Sequence, residues 1–222
     1  MATPLVFLPG AAGLASFWQP VADRLGHLGP AHCLGYPGFG GLPRDPGIGS
    51  LDALFGWVVA RLPPGASHVI AQSMGGVIAV RLALERPERV ARLVLVATSG
   101  GVDVARLGAS EWRHEYRAAR PDAPPWFVDD RTDLTARLPE LRASTLLVWS
   151  DSDPISPPSV ARFLAARIPG ARVATVAGGI RKRSTSFSVK SARSKLVSKV
   201  NWGFSKRIPS SCTTEPAMLS FQ

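Results

Sequence analysis

Residues 69–77 read Val69-Ile70-Ala71-Gln72-Ser73-Met74-Gly75-Gly76-Val77, a β-rich run that passes through one serine directly into a helical pattern. No other stretch limits the fold as strongly. A short apolar strand that feeds a helix without an intervening loop belongs to a parallel sheet covered on both faces. The turn crowds the backbone, so small residues are needed two places before and after the serine, and Ala71 and Gly75 supply them. A serine held there stands clear of the sheet with a helix N-terminus behind it, in the position of a nucleophile. The N–H that follows, that of Met74, points toward a developing oxyanion. The plainer alternative is a serine that only caps the helix.

The rest of the chain repeats the strand–helix alternation. Leu5–Leu8 is an apolar strand closed by Pro9-Gly10. Ser16–Leu28 reads as one helix, and His32–Leu34 as a strand leading into the turn-rich Gly35-Tyr36-Pro37-Gly38-Phe39-Gly40-Gly41. Ser50 can cap a helix that runs to about Leu62, before Pro63-Pro64. His68–Gln72 is the next strand, Met74–Arg86 a helix, and Arg92–Ala97 a continuous apolar strand. Residues 100–142 are polar, carry Trp112 and Trp126, and look helical in parts. Ser144–Trp149 and Arg172–Val176 are strands, with a helix from about Ser159 to Arg167 between them. The expected fold is α/β, a mostly parallel sheet with helices on both faces and a short helical lid near residues 100–142.

Two further segments bear on chemistry. The loop after the first strand, Pro9-Gly10-Ala11-Ala12-Gly13, can present an N–H from Ala11 or Ala12; with that of Met74 it would make a two-donor oxyanion hole. By itself the loop reads as a simple glycine turn serving chain reversal. Leu146-Leu147-Val148-Trp149-Ser150-Asp151-Ser152-Asp153-Pro154 places two acids just after a late strand, where a carboxylate can orient a catalytic imidazole or serve a turn before proline.

Together these segments resemble the α/β-hydrolase superfamily over roughly residues 3–179, and its small esterase-like branch, which includes carboxylesterases of carrier-protein methyl esters. Ala71-Gln72-Ser73-Met74-Gly75-Gly76 is similar to the family's nucleophile elbow, and Gly35-Tyr36-Pro37-Gly38-Phe39-Gly40 to the loop after its next strand. Pro9-Gly10 stands where the family commonly has His-Gly. The resemblance implies Ser73 as nucleophile, Ala11 and Met74 as oxyanion donors, and a small-molecule ester or acyl-thioester substrate with no metal or organic cofactor. The family's acid lies three residues after a glycine at the strand end. Ser150 occupies that glycine position, so the resemblance selects Asp153, with Asp151 second. A serine nucleophile disfavours the branches that carry aspartate there. The sequence starts at what would be the family's third strand, so the first hairpin is expected to be absent.

The family also places a histidine in a Gly-x-His or Gly-Gly-x-His loop after the last strand. Here Val176-Ala177-Gly178-Gly179 is followed by Ile180-Arg181-Lys182-Arg183. Arginine stays protonated and cannot accept the serine proton. The four histidines are His27, His32, His68 and His114. His68 opens the strand that ends at Ser73, which puts it about 17 Å away by strand rise. His32 belongs on the same remote side, and His27 ends a helix, where it suits the dipole. Only His114, in the lid, has a route to Ser73, and a surface position is the simpler reading. The sequence therefore implies a serine hydrolase by ancestry, inactive or strongly impaired for want of a base. The alternatives are a non-catalytic pseudo-hydrolase and an anion-binding protein acting through its basic tail.

That tail is where the net charge of +10 resides. Residues 1–179 hold 17 arginines, no lysine and 15 acids, for +2; residues 180–222 hold nine basic groups against Glu215, for +8. All five lysines follow Gly179, along with ten serines and a single glycine, Gly203. One reading is a solvated basic extension, disordered or loosely docked. The other is a natural ending replaced by frameshift, recombination or insertion, favoured because the break falls where a catalytic residue is expected. Val189, Arg193, Leu196 and Val200 give the tail a partly amphipathic pattern suited to weak contact with anionic surfaces, but it has no recognised nucleic-acid motif. Two cysteines, Cys33 and Cys212, make no disulfide framework, and no basic stretch precedes the first strand, so a cytoplasmic protein is expected. The division into a 1–179 domain and a 180–222 tail has a direct test. Limited trypsin digestion is expected to cut first between Arg181 and Arg207 and to leave a resistant core of residues 1 to about 180; equal protection of both would show a docked tail.

Overall fold

Leu5, Val6, Phe7 and Leu8 are all fully buried, so this strand has no solvent face. Val6 and Leu8 enter one apolar cluster and Leu5 and Phe7 another, as alternate side chains of a strand must. The same division separates Val69 and Ala71 from Ile70, and Leu147 and Trp149 from Leu146 and Val148. The sheet therefore has a core on each face, the condition that continuous apolar strands satisfy.

The structure is a computed structural model that describes residues 2–177. The basic tail, Gly178-Gly179 and the expected histidine position near Ile180 or Arg181 lie outside the described residues. Six strands, β1 (Leu5–Leu8), β2 (Ala31–Cys33), β3 (Ser67–Gln72), β4 (Val90–Val96), β5 (Ser144–Ser150) and β6 (Arg172–Val176), form one sheet in the order β2-β1-β3-β4-β5-β6. Every pair among them is parallel. Helices α2 (Leu51–Val59), α3 (Met74–Glu85) and α6 (Pro158–Ala165) cover one face, and α1 (Gln19–Leu25) the other. Among the described residues, no helix is long and apolar enough to cross a membrane.

The chain leaves β1 for the edge strand β2, then crosses back to place β3 on the other side of β1. At that reversal the loops after β1 and β3 run in opposite directions and leave a crevice at the strands' carboxyl ends. Register sets how the two loops meet: Leu8 pairs with Ala71, so the chain turns at Pro9 beside the turn at Ser73.

Two helices differ from the sequence expectation, each for a local reason. The helix expected over Ser16–Leu28 is three pieces: a 3₁₀ turn at Ala15–Phe17, α1, and a second 3₁₀ turn at Gly26–Leu28. Pro20 sits in the first turn of α1; it has no N–H to continue a helix from residue 16, and so restarts one. Helix α2 opens as expected, with Ser50 Oγ accepting from the Ala53 N–H at 3.1 Å. It ends at Val59 rather than near Leu62, where Arg61 and Leu62 bond three residues back and tighten the turn before Pro63.

The lid has two short helices, α4 (Arg113–Ala119) and α5 (Trp126–Asp129), between 3₁₀ turns at Ala105–Leu107 and Thr135–Glu140. Rings hold it down: Phe39 packs on Trp126 and Phe127 with centroids 5.7 and 5.9 Å apart. Trp126 Nε1 donates to the Ile48 carbonyl at 3.2 Å, and Arg44 Nη2 to the Asp122 carbonyl at 2.8 Å.

Two glycine substitutions separate helix propensity from packing. A Cβ at Gly75, in α3, would lie 2.6 Å from the Leu8 carbonyl oxygen and closer still to that of Pro9, both backbone atoms. Gly56, in α2, has open space around it. Gly56→Ala is expected to stabilise by about 0.5–1 kcal/mol, and Gly75→Ala to destabilise by about 1–3 kcal/mol despite the same propensity gain. Urea denaturation reads both; a Gly75→Ala protein as stable as the parent would contradict the packing of α3 on β1.

Candidate active site

Ser73 occupies the single residue between β3 and α3, with φ 51° and ψ −122°. A non-glycine residue at positive φ is strained, by about 1–3 kcal/mol, and persists only where its surroundings fix it. Three hydrogen bonds do so: Ser73 N donates to the Val96 carbonyl at 3.1 Å, and the Ser73 carbonyl accepts from Thr98 Oγ1 at 2.6 Å and from Gly76 N at 2.9 Å. Small neighbours make room. Ala71 is fully buried, Gly75 lies on the Leu8 and Pro9 carbonyls, and a Cβ on Gly76 would collide with the Thr98 side chain. The side chain of Ser73 makes no capping bond to α3.

The loop after β1 reaches the same point. A Cβ on Gly10 would stand 3.0 Å from Ser73 Cβ, so the glycine is what lets the two turns touch. Ala11 and Met74 both line a cavity of about 420 Å³ together with Ser73. Among the described residues neither the Ala11 N–H nor the Met74 N–H has a hydrogen-bond partner. Val77, Val102, Trp112 and Phe127 give the cavity apolar walls. Tyr116 crosses it from the lid, its hydroxyl donating to the Ala11 carbonyl at 2.9 Å. Burial holds the Tyr116 phenol protonated, pushing it up to about 12, against a small opposing effect of Arg120.

The two candidate acids have different surroundings. Asp153 is buried, with 5% of its surface exposed, and its Oδ1 accepts from the N–H groups of Ile155 at 2.8 Å and Ser156 at 2.9 Å. Burial raises its carboxyl above the ordinary aspartate value, and the two backbone bonds offset only part of that. Asp151 is exposed and accepts from Ser152 Oγ at 3.0 Å. Asp153 does not itself line the cavity, although its neighbours Ile155 and Ser156 do.

None of the four histidines lines the cavity. His68 is in register with Leu5, at the amino end of β3 and remote from Ser73. His32 lies in β2, in register with Val6, and is exposed. Exposed His27 places Nδ1 3.1 Å from the Arg24 carbonyl. His114 is on α4, but Trp112, Arg113 and Tyr116 face the cavity while His114 is exposed. Among the described residues, no group of three or more His, Cys, Asp or Glu could hold a metal ion.

Three residues that shape this region carried no local signal. Thr98 is fully buried; it donates to the Ser73 carbonyl and accepts from Gly100 N at 3.0 Å, clamping the turn from β4. Ser156 Oγ donates to the Thr98 carbonyl at 3.0 Å, and Trp149 Nε1 to the Ser156 carbonyl at 2.8 Å, linking the acid's loop to the clamp. Tyr116 meets Ala11 across 105 residues of chain. Such long-range partners are invisible to motif spacing.

Comparison with known proteins places this geometry among others. The sequence model of the family described as alpha/beta hydrolase fold matches residues 3–143. The pimeloyl-[acyl-carrier protein] methyl ester esterase of Nitrosomonas europaea is 29% identical over 217 residues, covering 76% of this chain and 84% of that protein. The protein of the same name from Pectobacterium carotovorum is 37% identical over 99 residues, covering 44% of this chain and 37% of that protein. Among solved structures, a hydrolase from Pseudomonas aeruginosa superposes with a TM-score of 0.73 at 21% identity, covering 91% of this chain and 89% of that one. The enol-lactonase of Burkholderia xenovorans superposes with a TM-score of 0.71 at 19% identity, covering 91% of each. At these identities the structural likeness speaks to the fold alone.

The environment of Asp153 has a measurable consequence. Its carboxyl titrates at the ordinary 3.8 when unfolded and above that when folded, so the folded state binds the proton more tightly. The stability this contributes is complete below pH 3.8 and is lost as pH rises through the folded value. An asparagine in its place would not ionise at any pH, while its side-chain oxygen could still accept the two backbone bonds. The melting temperature of Asp153→Asn relative to the parent is therefore expected to climb as pH rises above 3.8, then level off. A difference independent of pH would contradict the burial-raised carboxyl.

Proposed function

This chain belongs to the α/β-hydrolase fold family, and we propose that it is built as a serine hydrolase of carboxylic esters or thioesters whose turnover is strongly impaired because it lacks a general base. Its hydrolase domain is residues 1–179, with 180–222 a basic tail outside it. The observation that carries the reading is Ser73, strained at φ 51°, free of the helix cap and beside two N–H groups that no described residue engages, in one cavity. A serine that merely capped α3 would adopt extended backbone and bond its side chain to the helix, as Ser50 does.

In the reaction this arrangement suits, Ser73 Oγ attacks the acyl carbon and its proton must pass to a base. The N–H groups of Met74 and Ala11 receive the negative charge that builds on the carbonyl oxygen. Collapse of the adduct breaks the bond to the alcohol or thiol, which takes up the proton, and water then releases the acyl group from Ser73 by the same steps. Asp153 is the acid that would orient an imidazole: it is buried, anchored through one oxygen and held near Ser73's clamp by Ser156. Its raised carboxyl also suits a site where an imidazolium forms, because a counter-charge would relieve the burial cost. Ester chemistry is supported by the names of the relatives, which are esterases of a carrier-protein methyl ester.

The four histidines present do not meet Ser73 in the cavity, and Arg181 cannot replace them. Loss of the base costs about 10⁴–10⁶-fold in kcat, leaving oxyanion binding and positioning. Purified protein is expected to hydrolyse an activated phenyl ester barely above background. Replacing residues 180–222 with an ending that supplies Gly178-Gly179-x-His and a final amphipathic helix should raise that rate at least ~10³-fold. Asp153→Asn in the repaired protein should remove most of the gain, and Asp151→Asn should not. A folded repaired protein without the gain would reject the proposed roles, and turnover above ~1 s⁻¹ by the parent, abolished by Ser73→Ala, would reject the missing-base argument.

A further inference from the structure

The cavity lining also carries charges that ester cleavage does not use. Arg113 and Arg131 both line it. They converge on one acceptor: Arg113 Nε donates to the Val128 carbonyl at 3.0 Å and Arg131 Nη1 to the same oxygen at 2.9 Å. Arg131 Nη1 also bonds the Asp130 carbonyl at 2.9 Å. Two guanidinium groups are thus held side by side by a neutral oxygen. Among the described residues Arg131 has no carboxylate partner, and Arg113 has only Glu111, at 4.0 Å.

Three acids also line the cavity, and each is engaged locally. Asp103 accepts from Ala105 N and pairs with Arg106 at 3.2 Å. Asp130 accepts from Thr132 N and Thr132 Oγ1, and Asp133 from Thr135 N. Their oxygens therefore hold turns in the lid, while the arginines keep N–H groups unspent. A guanidinium is planar, permanently charged and shaped to bind a carboxylate through two parallel hydrogen bonds. A neutral alkyl arm offers these donors nothing.

We propose that Arg113 and Arg131 form a carboxylate-binding subsite, so that the ester this cavity takes is the half-ester of a dicarboxylic acid. The proposal rests on the reading of Ser73 as the nucleophile, which puts the ester end at the apolar, glycine-turn side of the cavity and the free carboxylate at the lid. Trp112, against which Arg113 stacks at 5.0 Å, and Phe127 border the path between the two ends. Val128, whose carbonyl holds both arginines, is itself buried, so both guanidinium groups are anchored to a buried point of the lid although Arg131 is exposed.

Binding tests this without any turnover. The full chain is titrated by calorimetry with three esters of similar shape: monoethyl adipate, diethyl adipate and ethyl 6-aminohexanoate, whose far ends are anionic, neutral and cationic. The anionic ester should bind at least ~10-fold more tightly than either other, and the preference should shrink on going from low salt to about 0.5 M, as charge contacts do. Arg131→Gln and Arg113→Gln should each remove most of the preference while leaving the affinity for diethyl adipate unchanged. Arg131 is exposed, so its variant carries the test if Arg113→Gln fails to fold. Equal binding of the three esters, tighter binding of the cation, or a preference that survives both substitutions would overturn the subsite. If the repaired protein hydrolyses esters and the three bind equally, the subsite alone falls. If the arginines set the preference and repair yields no activity, the role of Ser73 falls and the carboxylate site stands.

Discussion

The contact of Gly75 with the carbonyls of Leu8 and Pro9 holds the site together. Parallel pairing of Leu8 with Ala71 brings the ends of β1 and β3 level, but only a residue without Cβ lets α3 start that close to the neighbouring strand. Gly10 answers from the other side by allowing its loop to touch Ser73. The reversal of strand order between β1 and β3 then leaves space above these turns and not a third loop. The positive φ of Ser73 and the meeting of the two turns depend on that close approach.

Electrostatics around this frame are unbalanced in a consistent way. Asp153 is buried beside the Ser73 clamp with backbone donors but, among the described residues, no cation, and burial raises its carboxyl. A fold selected for stability alone gains nothing from such a group. The strain at Ser73 is of the same kind, a local cost held in place by Thr98 and Val96. Both features have a use in acyl transfer, where charge appears on the oxyanion and on the base. Both features, beside a cavity that no histidine of the described residues lines, fit the proposed reading of a hydrolase framework without its base.

The strand–helix alternation and the turn at Ser73 were legible because both depend on neighbours in sequence. Val69–Ala71 is continuous and apolar, Gly75 marks the crowded turn, and Ser50 caps α2 through a bond to an N–H three residues away. Pro20 was legible too, although a helix drawn through it from Ser16 overlooked what its missing N–H forbids. The residues alone left Asp151 and Asp153 competing, and only the spacing implied by the family resemblance favoured Asp153; the structure buries Asp153 and exposes Asp151. Thr98, Ser156 and Tyr116 act across 25 to 105 residues of chain, so nothing near them in sequence announces their partners. His114 shows the converse: its place in the lid was readable, but which side of α4 faced the cavity depended on how Trp112 and Tyr116 packed on Phe127.

Chemical rescue tests the central claim most directly. Under the proposed reading, free imidazole added to the unmodified protein would supply the base that Ser73 lacks. Hydrolysis of an activated phenyl ester should then rise with imidazole concentration well above the rate of imidazole alone, and Ser73→Ala should abolish the excess. Identical imidazole-dependent rates for the parent protein, Ser73→Ala and buffer would contradict the account.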